Sequence, residues 1–304
     1  MDTTPVKTVN VTLGGREIAV PAGGYFDRYR MNPNLDEVAR DPAVSSLEFF
    51  RQHPKREAVA RFGPTWTPNF YYRVSTIQLL LLAPLARLQA ALPSPLQALR
   101  VMPRRGLVAL NIYRYDVCDN DPYNEAAIAI VVRRPGCKAS NAVEMLQSLR
   151  LKTNFAHVLA LPVTTEIARV RGVEGYGLPK WMTGIELDIG NMVEGRVGNV
   201  DGTPDLVVRA PLPKMRPASQ PPQVSTLKLV NTIDGAWHET LTQSHSLSSG
   251  QTLLPRGVQV VRGSGPMSTL LGQLEASIVI RLEVIREGQI ALHLPEPITL
   301  GVDR

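Results

Sequence analysis

Short strand-like segments separated by turn residues recur along most of this chain. Residues 8–20 alternate between apolar and polar side chains on both sides of Gly14-Gly15, a pattern typical of a β-hairpin. Ala126 to Val132 is a continuous apolar run of strand length, and Asp201-Gly202 and Glu287-Gly288 each resemble a hairpin turn between two strands. Many strands with few and short helices predict an α+β protein whose large antiparallel sheet is curled or closed into a barrel.

The predicted helices are short and carry capping signals. The most apolar stretch, Leu79 to Pro84, is interpreted as part of a buried helix over residues 77–91. The other predicted helices are 35–40, 45–52, a helix from Ser140 or Asn141 to about Leu149, and Glu166 to Arg171 closed by Gly172. Asp116 to Tyr123 is predicted to be a polar turn, and Met182 to Ile189 a strand.

Composition excludes several classes of protein. The formal net charge is +6, but the 33 Lys and Arg residues are dispersed and only 6% of residues are aromatic, which argues against nucleic-acid binding. Cys118 and Cys137 are too few for a disulfide framework, and the five His residues show no metal-ligand spacing. We therefore expect no metal and no cofactor. The absence of a spanning apolar segment and of a signal-like start predicts a cytoplasmic protein without a membrane partner.

Lys180 lies in the segment Glu174-Gly-Tyr-Gly-Leu-Pro-Lys-Trp181, behind a glycine-rich turn and a proline. Trp181 and Met182 follow it, so its ammonium is expected to be poorly solvated. A desolvated amine loses its proton more readily, and only the neutral amine attacks a carbonyl carbon. The alternative is a structural lysine whose stem lies over an aromatic neighbour.

Three segments in this order resemble the acetoacetate decarboxylase superfamily. They are Asp121-Pro-Tyr-Asn-Glu125 before an apolar strand, the helix within Leu161–Gly172, and Gly175-Tyr-Gly-Leu-Pro-Lys-Trp181. The likeness extends from about residue 69 to about residue 294. It implies a cone-like β-barrel with short flanking helices, a small carbonyl substrate and a homo-oligomer. Residues 1–66 are then an N-terminal extension of a hairpin and short helices, and residues 67–304 are the family's domain.

The resemblance also implies roles for individual residues. Lys180 matches the lysine that forms a Schiff base, and Glu125 matches the glutamate that acts as acid and base. Tyr123 and Tyr176 are candidate hydroxyl donors, or core rings with satisfied hydroxyls. The remaining candidates for contacting substrate are Trp181, Arg114, Arg73 and Asn111, where each arginine is alternatively a partner in a surface ion pair. Glu125 is alternatively a structural partner of an arginine.

Some positions depart from the family pattern. Trp181 stands where the decarboxylase has a second lysine, residues 63–67 lack its substrate-binding arginine, and Asn111 is close to the position of a second glutamate. These departures argue against acetoacetate decarboxylation itself, and relatives that lack these residues are associated with aldol, retro-aldol or dehydration chemistry on oxo acids. The resemblance therefore implies a lyase acting on a keto acid or related carbonyl compound, by decarboxylation or by aldol or dehydration chemistry. The alternatives are a barrel that binds an apolar or carbonyl-containing small molecule without turnover, or an accessory protein of a biosynthetic pathway. Without a cationic neighbour, Lys180 is expected to depend on burial alone for its neutral form. The Schiff-base role requires a buried and uncharged amine, so an exposed side chain, or a carboxylate that holds the proton on the amine, would contradict that role.

Overall fold

The N-terminal part of the chain consists of two β-hairpins and three short helices. A computed structural model describes residues 7–218 and 223–300, so Pro221 and Pro222 of the proline-rich stretch 211–222 lie outside the described residues. The first elements are β1 (Thr8–Leu13), β2 (Arg16–Pro21), α1 (Tyr25–Tyr29), α2 (Leu35–Val38), α3 (Glu48–Arg51), β3 (Arg56–Ala60) and β4 (Gly63–Thr67). The strand pairs β1–β2 and β3–β4 are both antiparallel, so the hairpin predicted over residues 8–20 is confirmed.

The rest of the chain contains the long strands. Its strands are β5 (Asn69–Pro84), β6 (Arg105–Cys118), β7 (Tyr123–Val132), β8 (Thr153–Ala160), β9 (Ile185–Ile189), β10 (Met192–Gly198), β11 (Pro204–Pro211), β12 (Arg216–Pro217), β13 (Val224–Ile233), β14 (Ala236–Leu253), β15 (Gln259–Arg262), β16 (Ile278–Leu292) and β17 (Glu296–Pro297). Its helices are α4 (Leu85–Ala91), α5 (Asn141–Leu151), α6 (Glu166–Val170) and α7 (Pro266–Gln273), with a π-helix at Arg171–Gly175.

Seven strands close into a barrel. The order around the barrel is β14-β13-β8-β7-β6-β5-β16, and β16 pairs with β14 to complete the ring. All pairs are antiparallel except β13–β8, which is parallel, so the barrel is mixed. The predicted α+β fold with a barrel and short helices is confirmed, and one parallel pair corrects the expectation that the barrel is wholly antiparallel.

A second sheet covers one side of the barrel and encloses the main core. It has the order β15-β11-β10-β9. Because barrel strands contribute apolar side chains on one side and the second sheet and helices α4 and α7 contribute them on the other, the core forms between these layers. Its members include Ile77, Leu79, Leu81, Leu88, Leu110, Leu187, Val193, Leu206 and Leu271.

The prediction of a helix over residues 77–91 is wrong for residues 77–84. The chain is a strand through Pro84, and only Leu85–Ala91 are helical. Both edges of this strand are paired, one with β6 and the other with β16, so its backbone polar groups are satisfied within the sheet. A continuous apolar run does not discriminate between a buried helix and a strand covered on both faces, which explains the error.

Three further predictions also differ from the structure. The polar turn at Asp116 to Tyr123 is shorter, because β6 extends to Cys118. Glu287-Gly288 is no hairpin turn but an irregularity inside β16, where the register to β5 shifts. Gly172 does not end the helix that begins at Glu166, since the chain continues as the π-helix. The helix after Ser140 is confirmed, and the Ser140 hydroxyl accepts a hydrogen bond from the backbone N–H of Val143 at 3.4 Å.

Candidate active site

Glu125 and Lys180 are brought together by the backbone around Val163. Val163 pairs antiparallel with Glu125 of β7 and parallel with Met182. The backbone N–H of Val163 donates to the carbonyl oxygen of Trp181 at 2.9 Å, which fixes the chain next to Lys180. Two residues that are 55 positions apart in sequence therefore face each other because the same short segment pairs with both.

The π-helix clears a path for the stem of Lys180. A Cβ atom on Gly172 would lie 2.3 Å from Cδ and 2.4 Å from Cε of Lys180, so only glycine fits there without movement. Gly175 has a corresponding role for a different neighbour, since its Cβ would lie 2.4 Å from Cε1 of Phe62. π-Helical turns inside α-helices occur frequently at functional sites. Here the turn aligns two glycines with two side chains that approach the helix closely.

The turn before Lys180 is held by Asn231 of β13. Gly177 has φ +61°, a conformation that favours glycine. The Asn231 Nδ2 group donates to the carbonyl oxygen of Tyr176 at 2.6 Å and to that of Gly177 at 3.3 Å. The N–H of Leu178 donates back to the carbonyl oxygen of Gly172 at 3.0 Å. The lysine is therefore presented from a turn whose backbone is anchored on both sides.

Lys180 and Glu125 form a buried ion pair. Lys180 Nζ lies 2.5 Å from Oε2 of Glu125, and the two side chains are 7% and 10% exposed. The other carboxylate oxygen, Oε1, accepts a hydrogen bond from the hydroxyl of Tyr115 at 3.0 Å. Lys180 Nζ also lies 5.8 Å from the centre of the Tyr123 ring. The carboxylate is thus fixed by a phenol on one oxygen and by the amine on the other.

A cluster of tyrosines surrounds this pair. The hydroxyls of Tyr71 and Tyr123 are hydrogen-bonded at 3.1 Å, and both rings lie within 5 Å of the Tyr115 ring, with centroids at 4.5 and 4.6 Å. Burial raises the pKa of Tyr71, Tyr115 and Tyr123, and the nearby Glu125 charge adds to this effect. Burial likewise raises the pKa of Tyr113, which stacks on Tyr115. These hydroxyls therefore stay protonated and act as hydrogen-bond donors.

The expectation that Lys180 depends on burial alone is wrong. The side chain is buried, as predicted, but it is in direct contact with the Glu125 carboxylate. An opposite charge at this distance stabilises the ammonium form, whereas burial stabilises the neutral amine. The position of the proton between Lys180 and Glu125 therefore decides whether the amine can react.

The other predicted site residues divide into two groups. Tyr123 lies against Lys180, as described above. The side chain of Tyr176 is buried in a separate apolar cluster with Leu178 and Ala127, and burial raises its pKa. Trp181 is half-buried and packs against the main core. Tyr71, Tyr113 and Tyr115 were missed from the sequence, although the Tyr-x-Tyr spacing on β6 places the last two on one face.

The two predicted arginines are engaged in other contacts. Arg114 donates to the carboxylate of Asp116 at 3.0 Å and to the carbonyl oxygen of Leu187 at 3.0 Å. Arg73 lies 3.6 Å from Glu287 and 3.8 Å from the same Asp116 carboxylate. Asn111 is half-buried on β6 opposite Ala127, and it lies on the same face of the strand as Tyr113. Both arginines already contact acidic side chains, and their role in binding a substrate stays a prediction.

Neither a metal centre nor a membrane helix is found in residues 7–218 and 223–300. The described residues contain no group of three or more His, Cys, Asp or Glu side chains suited to hold a metal ion. Within the same residues, no helix has the length and apolarity needed to cross a membrane.

A closed mixed barrel with short flanking helices is the fold of acetoacetate decarboxylase-like proteins. Residues 56–240 match the family model described as acetoacetate decarboxylase (ADC), and the chain belongs to this family of enzymes. The resemblance seen in the sequence is thereby confirmed. A comparison with curated proteins finds no match.

Solved structures of low sequence identity share the fold. A structure of acetoacetate decarboxylase from Legionella pneumophila superposes with a TM-score of 0.54 at 12% identity, covering 87% of this chain and 95% of that one. A second acetoacetate decarboxylase structure gives a TM-score of 0.53 at 14% identity, covering 88% and 98%. The enduracididine biosynthesis enzyme MppR complexed with pyruvate gives 0.51 at 13% identity, covering 77% and 91%.

Proposed function

We propose that this protein is a lyase that forms a Schiff base through Lys180 with a keto acid or a related carbonyl compound. The observation that carries the proposal is the buried Lys180–Glu125 pair, whose lysine stem passes over Gly172. A single proton transfer within this pair produces both a nucleophile and an acid. The proposal does not use a metal or a cofactor, because the lysine itself supplies the reactive group.

The first step moves one proton from Lys180 to Glu125. The ammonium and carboxylate become a neutral amine and a carboxylic acid, so the charge of the pair is zero before and after. Two ions with little access to water have lost much of their hydration, and neutral groups avoid that desolvation penalty. Entry of a carbonyl substrate would displace remaining water from the pair and favour the neutral form further. The hydroxyl of Tyr115 keeps the carboxyl group in position during the transfer.

The amine then attacks the carbonyl carbon. The new C–N bond forms as the carbonyl π pair moves onto oxygen, which takes the proton held by Glu125. A proton of the nitrogen returns to Glu125, giving a neutral carbinolamine. Glu125 protonates the hydroxyl of the carbinolamine, water leaves, and an iminium ion remains with the Glu125 carboxylate as its counter-ion. The proton balance therefore requires one acid–base group, and Glu125 is in contact with the nitrogen that reacts.

The iminium ion accepts electrons from the adjacent carbon. Loss of carbon dioxide, cleavage of an aldol bond, or loss of a proton before dehydration all produce the same enamine type of intermediate. In aldol cleavage or proton loss the substrate releases a proton, which the Glu125 carboxylate takes and then returns to the enamine or to the leaving hydroxyl. Loss of carbon dioxide releases no proton, so in that route Glu125 would first take one from water and then pass it to the enamine. The tyrosine hydroxyls would donate hydrogen bonds to a substrate oxygen. Since MppR has been solved with pyruvate bound, pyruvate is the first 2-oxo acid to test.

A second candidate function is binding of a carbonyl compound without turnover. The 2.5 Å contact between Lys180 and Glu125 favours it, because an ammonium that keeps its proton has no free electron pair. Under this alternative, a carbonyl compound binds reversibly and no covalent bond to Lys180 forms. The two functions therefore differ in whether a covalent adduct on Lys180 forms, which can be measured.

Reductive trapping tests the proposal. The protein is incubated with pyruvate or a 3-oxo acid, reduced with borohydride, digested and examined by mass spectrometry. We expect the adduct on the peptide that contains Lys180, and none with Lys180→Met. An untrapped protein that still binds the oxo acid in calorimetry would support the non-catalytic alternative.

Lys55 is a matched control inside the same chain. It is also buried, and its Nζ lies 2.5 Å from the Asp119 carboxylate. Burial lowers the pKa of Lys55, so desolvation alone would make it reactive as well. Asp119, however, is also hydrogen-bonded by the N–H of Phe70 at 2.6 Å and the hydroxyl of Tyr72 at 3.0 Å, which indicates a structural pair. An adduct on Lys55 rather than Lys180 would contradict the proposal.

A further inference from the structure

A cavity of about 310 Å³ lies between the N-terminal elements and the π-helix, and it is partly open to solvent. Residues from β1, α1 and β4 line it, together with Arg171 of the π-helix. Lys180 and Glu125 are not among its lining residues. The volume is at the lower end of the range for small-molecule sites.

Arg171 brings a buried positive charge to this cavity. The residue is 3% exposed, and its guanidinium carbon lies 5.3 Å from the centre of the Phe62 ring. Its Nη1 donates to the side-chain oxygens of Asn69, at 3.2 Å, and Asn120, whereas its Nε has no hydrogen-bond partner. A buried cation normally has a counter-ion, because its charge has lost its hydration.

No carboxylate of the described residues pairs with Arg171. Asp119 and Asp121 are the buried acids whose charges act on the same surroundings as that of Arg171. Asp119 is in direct contact with Lys55 at 2.5 Å, and Asp121 accepts a hydrogen bond from the backbone N–H of Phe26 at 3.3 Å. Burial raises the pKa of Asp121, which favours its uncharged form. The Lys55–Asp119 pair is neutral as a whole, and neither acid forms an ion pair with Arg171. Arg30, which also lines the cavity, pairs with Asp27 at 3.4 Å and adds no negative charge to the cavity.

The cavity lining combines a second unsatisfied polar atom with apolar walls. The hydroxyl oxygen of Thr65 on β4 is buried and has no hydrogen-bond partner. One part of the wall is formed by Val11, Leu13, Phe26 and Phe62, which belong to one apolar cluster, and polar residues such as Asn10 and Thr12 line the rest. Apolar walls with a few polar groups that need a partner are the usual composition of a small-molecule site.

We propose that this cavity binds a small organic monoanion, with its carboxylate on Arg171 and Thr65 and its apolar body against the side chains of the N-terminal hairpin. A carboxylate would supply the counter-ion that Arg171 lacks and acceptors for the orphaned Nε and hydroxyl groups. The site is separate from Lys180, and it gives residues 1–66 a role in ligand binding.

Isothermal titration calorimetry with benzoate tests this site in the full-length chain. We expect saturable binding of benzoate, and at least tenfold weaker binding of benzamide, which has the same ring without the charge. Inorganic phosphate is expected to bind more weakly than benzoate, because it has no apolar body. Tighter binding of phosphate or equal binding of benzamide would overturn the proposal.

Variants locate the binding. Arg171→Met should weaken benzoate binding by about tenfold or more, the loss of a charge-assisted contact. Thr65→Val, which keeps the shape of the side chain, should weaken it by about threefold and covers the case in which Arg171→Met fails to fold, checked by circular dichroism. Lys180→Met, once circular dichroism has shown that the variant is folded, should leave benzoate affinity unchanged. Loss of benzoate binding in Lys180→Met, or unchanged binding in Thr65→Val, would overturn the proposal, and neither outcome depends on whether Lys180 can be trapped.

Discussion

Gly172→Ala tests whether the path of the Lys180 stem is as narrow as the structure indicates. The added Cβ would lie 2.3 Å from Lys180 Cδ, which is 1.1 Å short of the 3.4 Å at which ordinary contact begins. The end of this side chain cannot swing away freely, because Nζ is in contact with Glu125 at 2.5 Å. A shift of the stem by about 1 Å would stretch the ion pair to roughly 3.5 Å, the outer limit of a hydrogen bond.

The expected change in the free energy of unfolding has the opposite sign to that of a Gly→Ala replacement in an ordinary helix. Replacement of a helical glycine by alanine usually stabilises by about 0.5–1 kcal/mol. At Gly172 we expect overpacking of about 1–3 kcal/mol and partial loss of a buried pair that is worth about 3–5 kcal/mol when one partner is removed. The net free energy of unfolding should fall by about 2–4 kcal/mol, measured by urea unfolding. Borohydride trapping at Lys180 should slow by about 10²-fold, because a misplacement of about 1 Å has that effect on a reacting group.

Gly175→Ala is the matched control in the same π-helix. Its Cβ would lie 2.4 Å from the ring of Phe62, so overpacking should cost about 1–3 kcal/mol without contact to Lys180. Trapping should then stay within about twofold of the parent protein. The reasoning is refuted if Gly172→Ala is as stable as the parent and is trapped at the same rate.

Three further results are expected. Lys180→Met and Glu125→Gln should each lower the free energy of unfolding by about 3–5 kcal/mol, and the double variant should lose clearly less than the sum in urea unfolding; additive losses would show that the two residues are uncoupled. Burial lowers the pKa of His157, so the unfolded chain binds more protons below about pH 6.5 and stability decreases as the pH falls. His157→Gln should flatten this part of the thermal-unfolding profile between pH 7.5 and 5, and an identical slope would contradict the assignment. Asn231→Asp places a carboxylate against the carbonyl oxygen of Tyr176, so it should cost about 1–3 kcal/mol of stability and slow trapping; an unchanged trapping rate would show that this anchor does not position the lysine.

The strands were predictable wherever one face of the sheet is buried and the other is not. Residues 8–20 follow this rule, and the hairpin predicted there is confirmed. The strand that ends at Val132 is buried on both faces, and its prediction as a continuous apolar run of strand length is confirmed as well. The run Leu79 to Pro84 failed because its strand lies in the middle of the barrel sheet, where a strand loses its alternation. Local sequence holds no information about pairing partners, and these decided the outcome.

The candidate site was predictable in its residue types but not in its contacts. The order of the motifs pointed to Lys180 and Glu125 together, yet the sequence did not indicate that one carboxylate oxygen would lie 2.5 Å from the amine. Arg171 was part of a segment noted only for its helix and its following glycine. Its burial beside an apolar cavity depends on N-terminal residues that are distant in sequence, such as Val11, and no local pattern indicates that contact.

The bridging position of Val163 has a consequence for the time course of folding. Glu125 and Lys180 belong to segments that meet only after β7 and the chain following the π-helix have each paired with the residues between them. Closing a 55-residue separation is slow compared with forming a hairpin or a helix. Protection of the Lys180 amine from a chemical reagent during refolding should therefore lag behind the recovery of secondary structure, and the time at which it appears reports the last long-range contact.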